Sequence, residues 1–493
     1  MTIYQVALVA VVALPALGAA AVALLPARPA RLTGVAVSAI TLLPIILLPF
    51  ARSSTWTTYS ANPAGPRLWT EVDVSWVPAL HLDFHLGVDG VSYPLVALTG
   101  LLTALCTAYL LKSSGRALIA LLLVLEAGIA GTFLSFDLIL FFLFFEVVLL
   151  PMYAVIAGWG GDDRRRAARK FVLYTLFGSV FLLLGVVTVA VSAGTADLAE
   201  LIGGAGLDRT TQYAAFTLLA IAFAVKAPLW PLHTWLPDAH TQAPTVGSVI
   251  LAGVLLKMGT YGLIRVGVGV APLGAEKAAP VLGILAVAAI IAGALICLRQ
   301  TELKRLIAYS SVGHMGFVLL GIATLSVTGL QAALLGNVAH GLITGLLFFL
   351  AGAIKDRAHT GELAELGGLR ETAPRLAGAL GFAAIASLGL PGLAGFWGEA
   401  FAVVAAVQRG GGLWTTLAVL AAVGGALTAA YFLRLLRRVT HGPAVISLSP
   451  TIAGREWLAW SPLVVLTLAV GLVPTLVLAA TSAPMRALVE ALP

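Results

Sequence analysis

Two lysines, Lys226 and Lys257, lie inside long apolar stretches of this 493-residue chain. A cation at the centre of a lipid bilayer costs roughly 2.5 kcal/mol or more, so a buried lysine needs a partner, a cavity or a function. A buried lysine ammonium group can also give up and take back a proton. The two lysines therefore predict a proton path through apolar surroundings, and a purely structural, proline-kinked helix is the alternative interpretation.

Acidic and imidazole side chains occur in the same kind of apolar stretch as the lysines. A carboxylate among Phe and Leu side chains, such as Glu146, either stays protonated or ionises against a cation, and Lys226 is an obvious candidate. A histidine can carry a proton in either direction near neutral pH, although a neutral, hydrogen-bonded histidine is the common structural alternative. We therefore predict that protons pass along six residues, which are Glu146, Lys226, Lys257, His314, His340 and Glu399.

A second group of ionisable residues is predicted to support the first. Asp137 precedes Glu146 by nine residues, about 13 Å along a helix, so Asp137 is expected near a membrane edge and Glu146 near the middle. Glu126 lies one helix earlier, and for it a structural role, as a protonated acid bonded to a backbone carbonyl, is the alternative. The predicted supporting residues are Glu126, Asp137, His233, Asp238 and His240.

Prolines and glycines interrupt two of the apolar stretches that carry these residues. A proline inside a helix removes a backbone donor and crowds the carbonyl four residues earlier, which predicts discontinuous helices near residues 227–244 and 387–398. Free backbone groups at membrane depth need protein or trapped water as partners, so Glu399 is expected to face a water-filled cavity. The predicted broken-helix positions, which we expect to be flexible, are Pro228, Pro231, Pro237, Pro391 and Gly392.

The composition indicates that a membrane surrounds these stretches. Hydrophobic residues make up 60% of the chain and charged residues 10%, whereas soluble domains average about 25% charged residues. Cys106 and Cys297 are its two cysteines, and the sequence has no zinc or iron–sulfur ligand spacing, so we expect no metal site, no cofactor and no redox centre in this chain. The net charge of +7 does not indicate nucleic acid, because the position of Lys and Arg matters more than their sum in a membrane protein.

With about 20 apolar residues for each crossing, the sequence predicts an all-α polytopic membrane protein with about 14 transmembrane helices. Most Lys and Arg residues lie in alternate connections, so the positive-inside rule places both termini on the outer side. We expect residues 51–88 to form an external polar loop, in which TWTTYS pairs with EVDVSWV as a short hairpin and Asp73, Asp83 and Asp89 are solvated. The predicted spans lie near residues 4–26, 32–50, 89–111, 117–135, 137–158, 171–192, 212–230, 245–268, 280–298, 303–325, 328–354, 376–408, 413–436 and 457–480.

Several motifs along the chain are similar to those of a known family. They are LGVDGVS before the third predicted span, FFEVVLLPMY around Glu146, VKAPLWPLHTWLPDAH around Lys226, SSVGHMG around His314 and LPGLAGFWGE around Glu399. On these residues the chain resembles the antiporter-like membrane subunits of proton-translocating NADH-quinone oxidoreductase (respiratory complex I) and of multisubunit cation/proton antiporters. Position 399 is a glutamate in this chain. In this respect the chain resembles the chain M branch of the family, whereas chain L, chain N and the antiporter subunits carry lysine at the matching position.

The resemblance implies two five-helix repeats of inverted orientation, each with a discontinuous helix. It also implies a charge pair between Glu146 and Lys226, a proton relay through Lys257 and the histidines, and Glu399 as the end of the path toward the outside. The corresponding domains are 1–116 for N-terminal helices 1–3 with the external loop, 117–268 for the first repeat, 280–436 for the second, inverted repeat, and 457–480 for a C-terminal helix.

The resemblance further implies the activity of a larger assembly. The chain is expected to be a proton-translocating subunit of NADH:quinone oxidoreductase, a translocase, driven by electron transfer in partner subunits that carry flavin mononucleotide, iron–sulfur clusters and quinone. Its expected surroundings are the lipid bilayer of the bacterial cell membrane and neighbouring chain L-like and chain N-like subunits. A subunit of a multisubunit cation/proton antiporter or of a membrane-bound hydrogenase stays open as an alternative, and so does a structural spacer.

Overall fold

The computed structural model describes residues 1–53, 67–77, 82–111, 115–444 and 449–492, and most of them are helical. Helices are expected for a membrane chain, because each one satisfies its own backbone hydrogen bonds. The first helices are α1 (Ile3–Leu24), α2 (Ala27–Leu47), α3 (Tyr93–Tyr109), α4 (Arg116–Leu134), α5 (Leu138–Val147), α6 (Leu149–Trp159), α7 (Arg164–Ala193), α8 (Leu198–Leu201), α9 (Arg209–Lys226), α10 (Trp235–Gln242), α11 (Thr245–Ile250) and α12 (Leu256–Gly262). The later helices are α13 (Pro272–Cys297), α14 (Leu303–Ala323), α15 (Val327–Ala358), α16 (Leu369–Thr372), α17 (Pro374–Ser387), α18 (Ala394–Arg409), α19 (Gly411–Thr440), α20 (Gly454–Leu472) and α21 (Thr475–Glu490).

A short antiparallel hairpin stands at one end of the helices. Its strands are β1 (Thr70–Val77) and β2 (Leu82–Val88), and they pack against α1, α4 and α5. The sequence predicted a hairpin between TWTTYS and EVDVSWV. EVDVSWV does form a strand, but it pairs with β2, whereas TWTTYS lies in residues 54–66, which together with residues 78–81 are outside the described part. We call the end of the molecule that carries β1 and β2 the hairpin side.

The first predicted interruption follows α9 directly. The helix ends at Lys226, residues 227–234 form turns that contain Pro228 and Pro231, and α10 then begins at Trp235. The predicted break is therefore confirmed. Pro237 does not belong to it, because this proline lies in the first turn of α10, where a missing backbone N–H costs no helical hydrogen bond.

The second interruption separates α17 from α18, and it also lies where the sequence predicts it. Pro391 and Gly392 are in the connection between Ser387 and Ala394. Gly392 has a φ angle of 93°, a left-handed conformation that glycine adopts without the steric cost of a Cβ atom. The glycine is therefore needed for the chain to turn between the two half-helices.

Two π-helical segments flank α12, and nothing in the sequence predicts them. They are Leu251–Leu255 and Leu263–Val268, so the continuous stretch from Thr245 to Val268 alternates between α- and π-helical turns. Residues 246–268 of this stretch are all buried. Single π-helical turns inside α-helices occur frequently at functional sites.

Eleven helices among the described residues are long and apolar enough to cross a membrane, so the chain is a multi-span membrane protein. About 14 were predicted, and the segments near 89–111, 212–230 and 376–408 form short or interrupted helices. The number of crossings and the side of the termini stay predictions. The predicted bounds 457–480 of the C-terminal helix are wrong, because α20 ends at Leu472 and α21 begins at Thr475. Val473 precedes Pro474 and has a non-helical backbone conformation, as the residue before a proline often does.

Two isolated backbone pairings recur at the same spacing in the two halves of the chain. Asp137 pairs with Asp197, and Glu302 pairs with Glu362. Asp137 also caps the N-terminus of α5, and Glu302 caps that of α14 in the same way. The recurrence favours the predicted repeat of five helices, whose boundaries and inverted orientation stay predictions.

His85 of β2 holds the hairpin against α8. Its Nδ1 lies 2.6 Å from the Asp197 carboxylate, and its Nε2 lies 3.5 Å from the Glu71 carboxylate. Burial alone lowers the pKa of this imidazole, but the hydrogen bonds to Asp197 and Glu71 outweigh burial and raise the pKa to about 9. The imidazolium therefore contributes to the attachment of the hairpin as long as it stays protonated.

We expect the hairpin to be attached most firmly below about pH 6.5, where the unfolded histidine is also protonated, and to loosen as the pH rises through about 9. The sign follows because the folded pKa is higher than the unfolded one. Hydrogen exchange of residues 82–88, corrected for intrinsic rates, measures this attachment, and His85→Gln is the control that removes the titration. Protection that is constant across this range in the wild-type protein contradicts the expectation.

Candidate proton-transfer site

Four of the predicted proton-transfer residues form one continuous series in the structure. Lys257, His340, His314 and Glu399 come from α12, α15, α14 and α18, and the last three of these helices pack against one another. We call these four residues the polar axis. Lys257 and His340 are 83 residues apart in sequence, and His314 is 85 residues from Glu399 and 73 from Ser387. The tertiary fold therefore brings these residues together, and no local sequence pattern predicts their contacts.

Lys257 begins the polar axis in a fully buried site. Its Nζ lies 2.6 Å from His340 Nδ1 and donates a hydrogen bond of 2.5 Å to the backbone carbonyl of Ala252. Ala252 belongs to the first π-helical segment. The irregular helix therefore supplies a carbonyl acceptor for a buried amino group that would otherwise have an unpaired N–H donor.

The two histidines bring the polar axis from Lys257 to Glu399. The rings of His314 and His340 meet edge to face, with 5.8 Å between their centroids. His314 Nδ1 lies 2.8 Å from Glu399 Oε1, and its Nε2 lies 3.0 Å from Ser387 Oγ. No hydrogen bond joins the two rings within the described residues, because both His314 nitrogens are engaged and His340 Nε2 has no partner there. An imidazole can accept a proton at one nitrogen and release one from the other, so water in the cavity that both rings line would complete the series.

A cavity lies beside the far end of the polar axis. His314, His340, Ser387 and Glu399 line it, and it is large enough to hold water. Ser387 is the last residue of α17, so the second helix interruption opens directly onto this cavity. The expectation that Glu399 faces a cavity is therefore confirmed.

Lys226 and Glu146 contact groups that do not belong to the polar axis. Lys226 is the last residue of α9 and is 3% exposed, a position where the helix dipole favours a cation. Its Nζ lies 4.4 Å from the centre of the Phe145 ring, a cation–π geometry. Glu146 Oε1 accepts a 2.5 Å hydrogen bond from Ser179. Within the described ranges no ion pair joins Glu146 to Lys226, so the implied charge pair is not closed in this structure.

The predicted supporting residues have different surroundings. Asp137 accepts hydrogen bonds of 2.8 Å from the backbone N–H groups of Ile139 and Leu140 and so has a capping role. Asp238 lies 2.7 Å from Lys170 and 3.3 Å from Arg305.

Three of the supporting residues carry buried polar atoms without a hydrogen-bond partner in the part of the chain that the structure describes. These atoms are both carboxylate oxygens of Glu126, both ring nitrogens of His240 and Nδ1 of His233. The His240 ring stacks on Phe348 at 4.5 Å, and the His233 ring lies 6.1 Å from Tyr309. A protonated Glu126 that donates to a backbone carbonyl, the structural alternative, is not observed.

The prediction that Asp89 is solvated is wrong. Its side chain is buried and forms an ion pair with Arg265, which is itself buried in the second π-helical segment. The sequence placed Asp89 at the end of a polar loop, and a partner 176 residues away could not be recognised from local composition. A buried arginine in an apolar stretch was the signal that could have indicated a carboxylate partner.

Lys304 is a further buried lysine that sequence reasoning missed. It is 5% exposed and donates a 3.1 Å hydrogen bond to the carbonyl of Ala243, between α10 and α11. In the sequence it stands among Glu302, Arg305 and other polar residues, and such a charge run indicates a solvated connection.

Comparison with known proteins places this arrangement in a family. The model of the NADH:quinone oxidoreductase/Mrp antiporter transmembrane family matches residues 135–428. The chain is 42% identical over 433 residues to NADH-quinone oxidoreductase subunit M of Rhodobacter capsulatus, with 84% of this chain and 83% of the relative covered. It is also 42% identical over 435 residues to NAD(P)H-quinone oxidoreductase chain 4 1 of Synechococcus sp. (strain JA-3-3Ab), with 82% of each covered.

Solved structures show the same fold. A chain of respiratory complex I from Thermus thermophilus has a TM-score of 0.88 and 29% identity, with 99% of this chain and 100% of that chain covered. A chain of the Mrp complex from Dietzia sp. DQ12-45-1b has a TM-score of 0.86 at 24% identity, with complete coverage of both chains, and that likeness concerns the fold alone. From the matched family model and the identity to subunit M, this chain belongs to the NADH:quinone oxidoreductase/Mrp antiporter family of membrane subunits.

Proposed function

We propose that this chain is the proton-translocating, subunit M-like component of an NADH-quinone oxidoreductase and that it carries protons along the polar axis. The observation that supports this most is the direct contact series from Lys257 through both histidines to Glu399. Four ionisable groups in contact inside apolar helices are costly unless they have a function. The subunit M relative at 42% identity supports the choice of complex.

Glu146 and Lys226 are proposed to control when the axis is loaded. Two unit charges about 4 Å apart at an effective dielectric constant near 20 interact by roughly 4 kcal/mol. Closing or opening that pair would hold a proton on Lys226 or make it available to Lys257. The structure has the pair open, with Ser179 bonded to Glu146 and Phe145 beneath Lys226.

The energy for this cycle is proposed to come from partner subunits. Flavin mononucleotide, iron–sulfur clusters and the quinone site belong to those partners, and chain L-like and chain N-like subunits are proposed as neighbours in the bacterial cell membrane. Both termini are proposed on the outer side of that membrane. Solved complexes of relatives have many subunits, which supports assembly with other membrane chains.

Glu146→Ala and Lys226→Ala are each expected to reduce proton pumping severely, because the loading step needs both charges. Vesicle acidification driven by NADH, normalised to assembled complex, measures the effect, since an unpaired buried charge also destabilises by about 3–5 kcal/mol. Lys277→Ala is the matched control, because this lysine also lies over an aromatic ring, that of Tyr213 at 4.2 Å, but is exposed. Normal pumping by either variant would contradict the loading role.

Purification of the chain with its partners tests the proposed complex. Partners that carry flavin and iron–sulfur clusters would support it. The matched family model, whose description includes the Mrp antiporter, makes a cation/proton antiporter subunit the second candidate. A sodium-dependent proton flux in vesicles without any NADH-oxidising partner would favour that candidate and overturn the first.

A further inference from the structure

Lys257 has two directions in which a proton could leave it. Sideways, its ammonium group contacts His340 at 2.6 Å. Along its own helix toward the hairpin side, Tyr261 and Arg265 follow at spacings of four residues, which put side chains on about the same face of a helix. The second direction leads toward the hairpin side, so a path that runs through His340 requires this second direction to be closed.

The Asp89–Arg265 ion pair lies at the end of this second course, toward the hairpin side. The exposed fractions of the two side chains are 0% and 6%. The Asp89 carboxylate also accepts hydrogen bonds of 3.0 Å from two backbone N–H groups that precede α3. The guanidinium centre of Arg265 lies 5.1 Å from the centre of the Phe136 ring and 5.8 Å from that of Tyr261. Anchored backbone groups and aromatic rings therefore hold the pair in place.

Among the described residues, Tyr261 lies between Lys257 and this pair on the same helix face, and its hydroxyl is already hydrogen-bonded on both sides. The Tyr261 hydroxyl donates a 2.9 Å hydrogen bond to the carbonyl of Phe133. A proton wire needs groups that accept one proton and release another, whereas a guanidinium has five donors, no acceptor and a charge that it does not lose. Arg265 therefore interrupts a wire chemically, and its positive charge repels an approaching proton.

We propose that the Asp89–Arg265 pair is a plug that prevents a proton on Lys257 from leaving directly toward the hairpin side and so directs it sideways to His340. Arg265 acts in this as a positioning residue for the route. The inference rests on the proposed function, because the plug matters only if Lys257 carries protons.

The double variant Asp89→Asn/Arg265→Gln tests the plug in the complete complex, reconstituted into liposomes. It removes both charges together, so neither is left buried and unpaired, and both new amides can donate and accept. Passive proton permeability is expected to rise on the order of tenfold, the factor that corresponds to about 1.4 kcal/mol of barrier. Electron transfer from NADH to quinone should continue, and fewer protons should be retained for each NADH oxidised.

Two further variants separate a plug from ordinary loss of packing. Arg357→Gln/Glu456→Gln breaks another arginine–carboxylate pair, bonded at 2.8 and 2.7 Å, and should leave the liposomes tight. Adding Lys257→Ala to the Asp89→Asn/Arg265→Gln variant should abolish the leak, because the leak must pass through Lys257. A double variant as tight as the wild type, or a leak that persists without Lys257, would overturn the plug. Normal pumping by Lys257→Ala alone would overturn the proposed function instead.

Discussion

Lys257→Arg is expected to lose proton pumping by about 100-fold or more, the usual contribution of a positioned acid–base group. Arginine keeps the positive charge but does not release a proton in the accessible pH range. The Lys257 ammonium group is in direct contact with His340 at 2.6 Å, so the first transfer along the polar axis would stop. Acidification of inside-out vesicles by NADH, relative to the amount of assembled complex, measures this loss.

The larger arginine side chain must also fit a fully buried site, so a control for size is needed. Lys304→Arg provides it, since Lys304 is a buried lysine that likewise donates to a backbone carbonyl but does not contact the polar axis. This control is expected to assemble and to pump more than Lys257→Arg does. Full activity of Lys257→Arg would remove Lys257 from the proton path.

Glu399→Gln is expected to assemble normally and to pump poorly, whereas Glu399→Asp should retain part of the activity. Glutamine has the same shape and can keep the 2.8 Å hydrogen bond to His314, but an amide does not take up a proton. Aspartate keeps the acid but is shorter, so its carboxylate would reach His314 through water in the adjoining cavity. Proton uptake by inside-out vesicles, normalised to assembled complex, distinguishes the three proteins.

Ser387→Ala is the matched control for Glu399. It removes the 3.0 Å hydrogen bond on the other nitrogen of His314 and leaves the acid in place, so its effect should be smaller. Wild-type uptake by Glu399→Gln would show that no change of protonation at this residue is required.

The sequence predicted the parts of the site that depend on local chemistry. Pro228, Pro231, Pro391 and Gly392 lie in the two interruptions, because a proline disfavours the helix interior and a left-handed turn favours glycine. Pro237 is also a proline near the first interruption, but it lies in the first turn of α10, where a helix tolerates proline. Composition indicates that a break exists in such a segment, and the register of the following helix decides which proline lies inside it.

Contacts between distant residues could not be predicted in this way. Asp89 was expected in solvent because nothing near it in sequence shows Arg265. The polar axis itself depends on how α12, α14, α15 and α18 pack, and helical periodicity gives a face but no partner. The π-helical turns beside Lys257 have no recognisable signature in the sequence, because the residue types that form them also occur in α-helices of this chain.

Lys257, His314 and His340 each lie near the midpoint of the long helical stretch that carries them. A proton that passes between them therefore moves sideways, at a nearly constant depth in the bilayer. Moving one elementary charge across the whole membrane against 100 mV takes about 2.3 kcal/mol. A step that crosses only part of the membrane takes the corresponding fraction of that energy. Transfer between these three residues should thus be almost insensitive to membrane voltage, and a large opposing voltage would slow the steps that load Lys257 and empty Glu399.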